Sequence, residues 1–208
     1  MNAKFGIDAN MLSWFRSYLN NRFQRVIING IQSDWYSVSS GVPQGSTIGP
    51  TLFLIYINDI CDCIKYSEIL LFADDCKIYK DIRSHGDCLL LQDDISRINE
   101  WCNIWQMKMH PDKCFYMNFS LKRSKDIDYS YNLGNNALTR IFEIKDLGVY
   151  FTPNLCIKLH IGKIVSKSFQ MLGFMKRVTR DFSNPKTLHT LYNSLVSSRY
   201  GILLLVFI

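Results

Sequence analysis

The sequence predicts an α+β fold: an antiparallel sheet with packed helices over residues 1–152, then a small helical unit over 153–208. Three observations predict it. Short apolar runs bounded by Gly, Pro and Asn recur through the first three quarters, the signature of strands and turns. Between them stand longer segments with apolar residues three and four apart, the helical spacing. After Pro153 only the helical pattern remains. With 208 residues, 48% hydrophobic and 13% aromatic, the chain can bury one sizeable core or one core plus an appendage, and it does not read as disordered.

The elements follow in order. "NMLSWFRSYL", residues 10–19, puts Met11, Phe15 and Tyr18 on one helical face, and Asn20–Asn21 is its stop signal. "FQRVIING" reads as a strand ending at Gly30, and "SDWYSVSSG" as a second ending at Gly41, together a hairpin. "GVPQGSTIGP" holds three Gly and two Pro in ten residues and must be a loop. Pro50 suits the first turn of a helix, where its missing N–H has no partner to lose. Residues 51–60, "TLFLIYINDI", are apolar nearly all round, so that helix is expected to be buried on most sides.

"EILLFADDCKIYK", residues 68–80, reads as a hairpin. "DCLLLQDDISRINEWCNIW" aligns Leu91, Ile95, Ile98, Cys102 and Trp105 in one stripe of an amphipathic helix. "CFYMNFSL" reads as a strand, "YNLGNNALTRI" as strand, turn and strand with Asn135–Asn136 near the turn, and "IKDLGVYF" as one more strand stopped by Pro153. From His160 on, Ile161, Val165, Leu172, Leu188, Leu191 and Leu195 mark two helices separated at Asn184–Pro185, and the tail "GILLLVFI" is apolar.

Charge is unevenly placed. Residues 1–104 carry 9 Lys/Arg against 12 Asp/Glu, and residues 105–208 carry 15 against 6. A basic second half suits a polyanion such as nucleic acid; the alternative is a solvated basic surface. No apolar run reaches 18 residues, so no membrane partner is expected, and "MNAKFGIDANMLSWF" lacks the pattern of a signal peptide. The seven cysteines include one CxC, Cys61 and Cys63, without a second pair at zinc-like spacing, and read as reduced thiols.

The chemistry-bearing feature is Asp74–Asp75, two like charges between two apolar strands. Successive strand residues face opposite ways, but at a hairpin tip both carboxylates can approach one point. A divalent cation, hard and oxygen-seeking, relieves their repulsion, and a pair of such ions suits phosphoryl transfer. A second pair, Asp93–Asp94, lies off the apolar stripe of its helix and reads as solvated surface. An Asp-Asp dipeptide is therefore weak evidence alone; its setting distinguishes the first pair.

"FADD", Phe72 to Asp75 after an apolar strand, resembles the aromatic-Ala-Asp-Asp box of reverse transcriptases. Upstream, "SSGVPQGSTIGPTLFLIYINDI" is very similar to the matching segment of non-LTR, LINE-type, jockey-like retrotransposon reverse transcriptases. "LQDDISRINEWCNIWQMKMHPDKC", "KDLGVYFTPNL" and "HIGKIVSKSFQMLGFMKR" resemble, in order, the family's helix-then-lysine segment, primer-gripping hairpin and thumb start. The resemblance runs from about Met11 to Tyr200.

The resemblance implies a partial polymerase palm over residues 1–152 and a truncated start of the thumb over 153–208. It implies RNA-directed DNA polymerase activity, with an RNA template, a DNA primer, deoxynucleoside triphosphates and Mg²⁺ or Mn²⁺. Asp74 and Asp75 are then the metal carboxylates. Gly41, Val42, Pro43, Gln44 and Gly45 lie along template and incoming nucleotide, with glycines permitting close backbone approach and Gln44 able to hydrogen-bond a base or sugar. Lys113 sits near the departing pyrophosphate, where it donates a proton or neutralises charge; the alternative is a surface lysine. Leu147, Gly148 and Val149 belong to the hairpin that holds the primer end. Lys163, Lys167, Lys176, Arg177 and Arg180 line a thumb that meets phosphates without reading sequence.

The departures from the family pattern shape the expectation. The upstream aspartate of an "AFD"-type strand has no counterpart, since Asp8 and Asp34 lack that setting, and segments for the fingers and an endonuclease are not found. His110 stands where an Asn usually precedes the lysine by three residues, and the pattern is lost after Tyr200. The chain is thus expected to be part of a decayed or truncated element with little polymerase activity by itself. The second reading is a non-catalytic, nucleic-acid-binding remnant of a transposable element. A third, a metal-dependent nuclease, needs further Asp, Glu or His ligands on the sheet, and none is evident. The sequence carries no signal for oligomeric state, and no basic 5–8-residue nuclear signal is visible.

Overall fold

Asp8 starts the first helix: its carboxylate accepts the Met11 N–H at 2.7 Å and caps α1, Ala9–Leu19. This computed structural model describes residues 6–120 and 127–197. Within them the chain forms two compact units, Met1–Lys80 and Asp81–Ile208. In α1, Phe15 and Tyr18 are half-buried as the spacing predicts, but Met11 is exposed and Trp14 stacks on Tyr18 with centroids 5.3 Å apart.

The predicted hairpin forms in two tiers. β1, Arg22–Gln24, pairs with β4, Tyr36–Val38, while β2, Ile27–Ile28, pairs with β3, Ile31–Gln32. The turn is Asn29–Gly30, at φ +50° and +82°. Both residues tolerate the left-handed backbone that the right-twisted hairpin turn requires. The ladder breaks at Arg25–Val26, where Ser33 Oγ accepts the Val26 N–H at 2.9 Å. The Gly/Pro-rich stretch is a loop, as predicted, and leads into α2, Gly49–Ile57, with Pro50 in its first turn. Leu52, Ile57 and Ile60 of the following 3-10 turn are buried, but Leu54 is 52% exposed, so this helix keeps one open side. β5, Glu68–Phe72, and β6, Asp75–Tyr79, close the first unit as the expected hairpin.

The second unit is built on α3, His85–Ile104. A capping box opens it: Ser84 Oγ accepts the Asp87 N–H at 3.3 Å and Asp87 Oδ2 accepts the Ser84 N–H at 2.9 Å. Its buried face carries Cys88, Ile95, Ile98, Trp101 and Cys102, but also Asp94, which is fully buried. The expectation that Asp93–Asp94 is solvated surface therefore holds for Asp93 alone. The cause is geometric: Asp94, Ile98 and Trp101 form a second line at i, i+4, i+7 beside the apolar stripe, and a packed face is wide enough to cover both. The stripe also ends sooner than predicted, since Trp105 is 47% exposed at the helix cap.

A 3-10 turn, Pro111–Lys113, leads to β7, Phe115–Tyr116, all that forms of the longer strand expected there. β8, Asn132–Leu133, and β9, Asn136–Ala137, turn at Gly134, φ +58°. The Gln92 side-chain amide donates to and accepts from the Asn132 backbone, each at 2.8 Å, which ties β8 to α3. Tyr131 is buried beneath them, with Tyr129 and Tyr116 centroids at 4.8 and 5.1 Å. Burial, followed by the Cys88 thiol, pushes its phenol well above the ordinary tyrosine range, so it stays neutral. β10, Thr139–Arg140, pairs in parallel with β7. "IKDLGVYF" is not one strand but a hairpin: β11, Ile144–Asp146, and β12, Val149–Phe151, around Leu147–Gly148.

α4, Lys158–Val178, packs on β12, and α5, Pro185–Tyr192, follows with the Asn184 side-chain Oδ1 accepting the Lys186 N–H at 2.9 Å. A π turn, Asn193–Ser197, carries the buried Val196. The apolar tail, 201–208, lies outside the described residues.

The α+β class stands, but the single antiparallel sheet does not. Among the described residues every ladder is two strands wide, and the β7–β10 pair is parallel. With strands of two to five residues, each pair offers few ladder bonds to a third neighbour. All seven cysteines are free thiols, with Cys88 and Cys102 buried. No helix among the described residues is long and apolar enough to cross a membrane.

Candidate nucleotidyl-transfer site

The β5–β6 register pairs Phe72 with Asp75, which leaves Ala73 and Asp74 as the two turn residues. Ala73 sits at φ +51°, a left-handed backbone that costs an L-residue about 1–2 kcal/mol. Ile69 and Leu71 turn inward along β5, while Leu70 and Phe72 are exposed, the alternation of a half-buried strand. Asp74 and Asp75 are both exposed, and among the described residues neither has a hydrogen-bond or ion-pair partner. Water already screens such a pair to about 1 kcal/mol at 4 Å, so the hairpin does not need a cation to fold. What the tip offers is two hard oxygen donors without protein counter-charge, a donor set that suits Mg²⁺ or Mn²⁺ retaining several waters. Among the described residues no group of three or more His, Cys, Asp or Glu could hold a metal, so Asp74 and Asp75 would supply a partial ligand set.

The 41–45 loop lies in the same unit and is tied at both ends. Gly41 and Gly45 have φ of +73° and +75°. Ser46 Oγ donates to the Pro43 carbonyl at 2.7 Å and accepts the Gly49 N–H at 3.1 Å. A Cβ at Gly49 would lie 2.8 Å from Ser46 Oγ and 3.1 Å from the Pro43 carbonyl, so this bend excludes a side chain. At the other end Arg22 donates to the carbonyls of Leu19 at 2.9 Å, Ser40 at 3.1 Å and Gly41 at 2.6 Å. Val42 and Pro43 are half-buried; Gln44 and Gly45 are exposed. Sequence reasoning found the loop but missed Arg22, whose contacts span 18 and 19 residues and leave no local signal. It also missed Ser46, whose short-range hydroxyl-to-backbone bond is a readable turn habit.

The remaining predicted residues belong to the second unit. Lys113 is exposed at the end of its 3-10 turn, and its N–H donates to the His110 carbonyl at 3.0 Å. Leu147, φ +44°, and Gly148, φ +92°, form the β11–β12 turn; Leu147 is exposed and Val149 half-buried. This hairpin is fixed to α4 through buried His160, whose Nδ1 accepts the Tyr150 N–H at 3.3 Å. Lys145 and Lys163 stand over the Tyr150 ring at 5.8 and 5.5 Å, and Lys163 also meets Glu143 at 3.4 Å.

Lys163, Lys167, Lys176, Arg177 and Arg180 are all exposed. Helical geometry sets Lys167 and Arg177 about 40° to either side of Lys163, with Lys176 about 140° round the axis from Lys163.

Comparison with known proteins adds a separate line of evidence. Residues 2–175 match the family "Reverse transcriptase (RNA-dependent DNA polymerase)". The chain is 32% identical over 128 residues to a probable RNA-directed DNA polymerase from transposon X-element of Drosophila melanogaster, covering 59% of this chain and 14% of that one. It is 25% identical over 157 residues to the RNA-directed DNA polymerase from mobile element jockey of the same fly, covering 72% and 17%. The jockey polymerase of Drosophila funebris is 25% identical over 174 residues, covering 78% and 18%. The chain therefore spans less than a fifth of the length of these relatives. No solved structure matches it.

Proposed function

The chain belongs to the reverse transcriptase (RNA-dependent DNA polymerase) family, of the non-LTR retrotransposon kind, and on that premise we propose that it is part of the palm and the start of the thumb of an RNA-directed DNA polymerase. The palm portion is residues 1–152 and the thumb portion 153–208. The observation that carries the reading is the pair of exposed carboxylates, Asp74 and Asp75, at a hairpin tip inside the matched region.

Each residue then has a task. Asp74 and Asp75 hold Mg²⁺ or Mn²⁺. The bound metal supplies Lewis-acid neutralisation of phosphate charge in nucleotidyl transfer, the chemistry for which two-metal sites are suited. Gly41, Val42, Pro43, Gln44 and Gly45 present backbone and one amide to the template and the incoming deoxynucleoside triphosphate. Lys113 neutralises the departing pyrophosphate. Leu147, Gly148 and Val149 hold the primer end, and His160 keeps that hairpin on α4. Lys163, Lys167 and Arg177 form one basic face toward phosphates, with Lys176 and Arg180 on neighbouring surface.

These 208 residues tested by themselves have little or no polymerase activity, because two carboxylates on one tip do not fix two ions for in-line transfer. Extension of a DNA primer on an RNA template with Mg²⁺ tests this, and robust product from the purified chain would refute it. The exposed basic face favours a second reading, a non-catalytic nucleic-acid-binding remnant. Duplex binding that is indifferent to both Mg²⁺ and the loss of Asp74 and Asp75 would select it.

A further inference from the structure

We propose that Arg22 is a positioning residue for the 41–45 loop: it holds the loop's first carbonyls in place so that Gln44 and Gly45 meet nucleic acid in a preset geometry. The proposal rests on the reading that this loop lies along template and nucleotide.

Arg22 opens β1, directly after α1. Its Nε donates to the Leu19 carbonyl at 2.9 Å, an acceptor in the last turn of that helix. Its Nη2 donates to Ser40 and Gly41 at 3.1 and 2.6 Å. One planar fork thus ties a helix end to the beginning of the loop. Lysine, a point charge with a single nitrogen, cannot span three carbonyls set in different directions.

The far end of the loop is closed by Ser46 and the side-chain-free Gly49. Between the two ties Gln44 and Gly45 are exposed, next to half-buried Val42 and Pro43. Gly41 has no Cβ and sits at φ +73°, so its own conformational preference does little to hold the loop; the Arg22 bond supplies that restraint.

The arrangement separates two roles that an arginine in a polymerase can play. A phosphate-contacting arginine spends its donors on the ligand and adds about one unit to the salt slope of binding. Arg22 spends three of its five N–H donors on backbone carbonyls. Losing it frees about one or two residues of loop backbone, whose ordering is then charged to binding. That corresponds to roughly tenfold weaker affinity with an unchanged salt slope.

The experiment uses the 208-residue chain and an RNA–DNA template–primer. Affinity is read by anisotropy across a salt series, and amide exchange of residues 41–46 is followed without ligand. Arg22→Lys is expected to speed exchange at 41–46, leave β5–β6 amides unchanged, weaken binding roughly tenfold and keep the salt slope. Ser46→Ala, which releases the other end, is expected to move the same readouts in the same direction, so the idea stays testable if the first variant misfolds. Unchanged loop exchange and affinity in both variants would overturn the role of these ties alone. A slope lowered by about one in Arg22→Gln, which removes the charge, would overturn it in favour of direct phosphate contact. Wild-type chain that binds no template–primer would overturn the loop's assignment and this role with it, while unchanged exchange kinetics would separate the two failures.

Discussion

The same dipeptide, Asp-Asp, meets opposite fates in this chain. At the β5–β6 tip both carboxylates are exposed and carry no protein partner among the described residues. On α3, Asp93 is half-exposed with Arg97 Nε at 3.1 Å, and Asp94 is fully buried with the same nitrogen at 4.0 Å. Nothing in the two letters distinguishes them. The supporting element decides: at the hairpin tip the turn residue Asp74 and the first strand residue Asp75 are both exposed, whereas a helix separates neighbours by about 100° and sends one of them under the packed face. The exposed pair is free to take a ligand. The buried one serves packing and its own satisfied contacts.

Removing the buried carboxylate is the harshest test of that contrast. Asp94→Ala is expected to cost about 3 kcal/mol, because a fully buried side chain is lost together with its contacts. Asp74→Ala is expected to stay within about 0.5 kcal/mol without metal. Urea unfolding of both variants checks the pair, and equal losses would erase the distinction.

Metal titration probes the other side. Mg²⁺ added to the wild-type chain is expected to shift amide resonances of residues 72–76, and the Asp74→Asn, Asp75→Asn double variant to abolish the shifts. The α3 pair is expected to show none. Chelation with EDTA should leave the unfolding midpoint unchanged, since the tip folds without a cation.

Ala73→Gly sharpens the comparison from the backbone. Relief of the left-handed alanine is expected to stabilise the hairpin by somewhat under about 1 kcal/mol after the cost in unfolded-state entropy. Arg97→Gln removes the half-exposed pair with Asp93, worth about 0.5 kcal/mol, together with the support that Arg97 gives Asp94. A double-mutant cycle between Arg97 and Asp94 separates those two parts.

Much of this was legible beforehand because the informative signals are local. Gly30, Pro50 and Asn184–Pro185 each work within four residues, and each element formed where its signal lies; the Ser84–Asp87 capping box is an equally local signal that sequence reasoning missed. The hairpin at 144–151 was read as one strand because Leu147 at positive φ is a residue that turns seldom use. The burial of Asp94 escaped because a carboxylate beside an apolar stripe is invisible to a count of apolar residues. The parallel β7–β10 pairing and the Arg22 ties depend on contacts far along the chain. Turn, loop and exposed carboxylates of the candidate site were thus locatable from sequence, while the groups that hold them in place were not.

Every ladder among the described residues stops at two strands, so rows of backbone donors and acceptors that no side chain occupies, as Gln92 occupies that of β8, face outward. Such rows are templates. At high concentration the chain should recruit further strands, from its own copies or from an added extended peptide, and thioflavin-type fluorescence rising with protein concentration would report that appetite long before any catalytic assay is attempted.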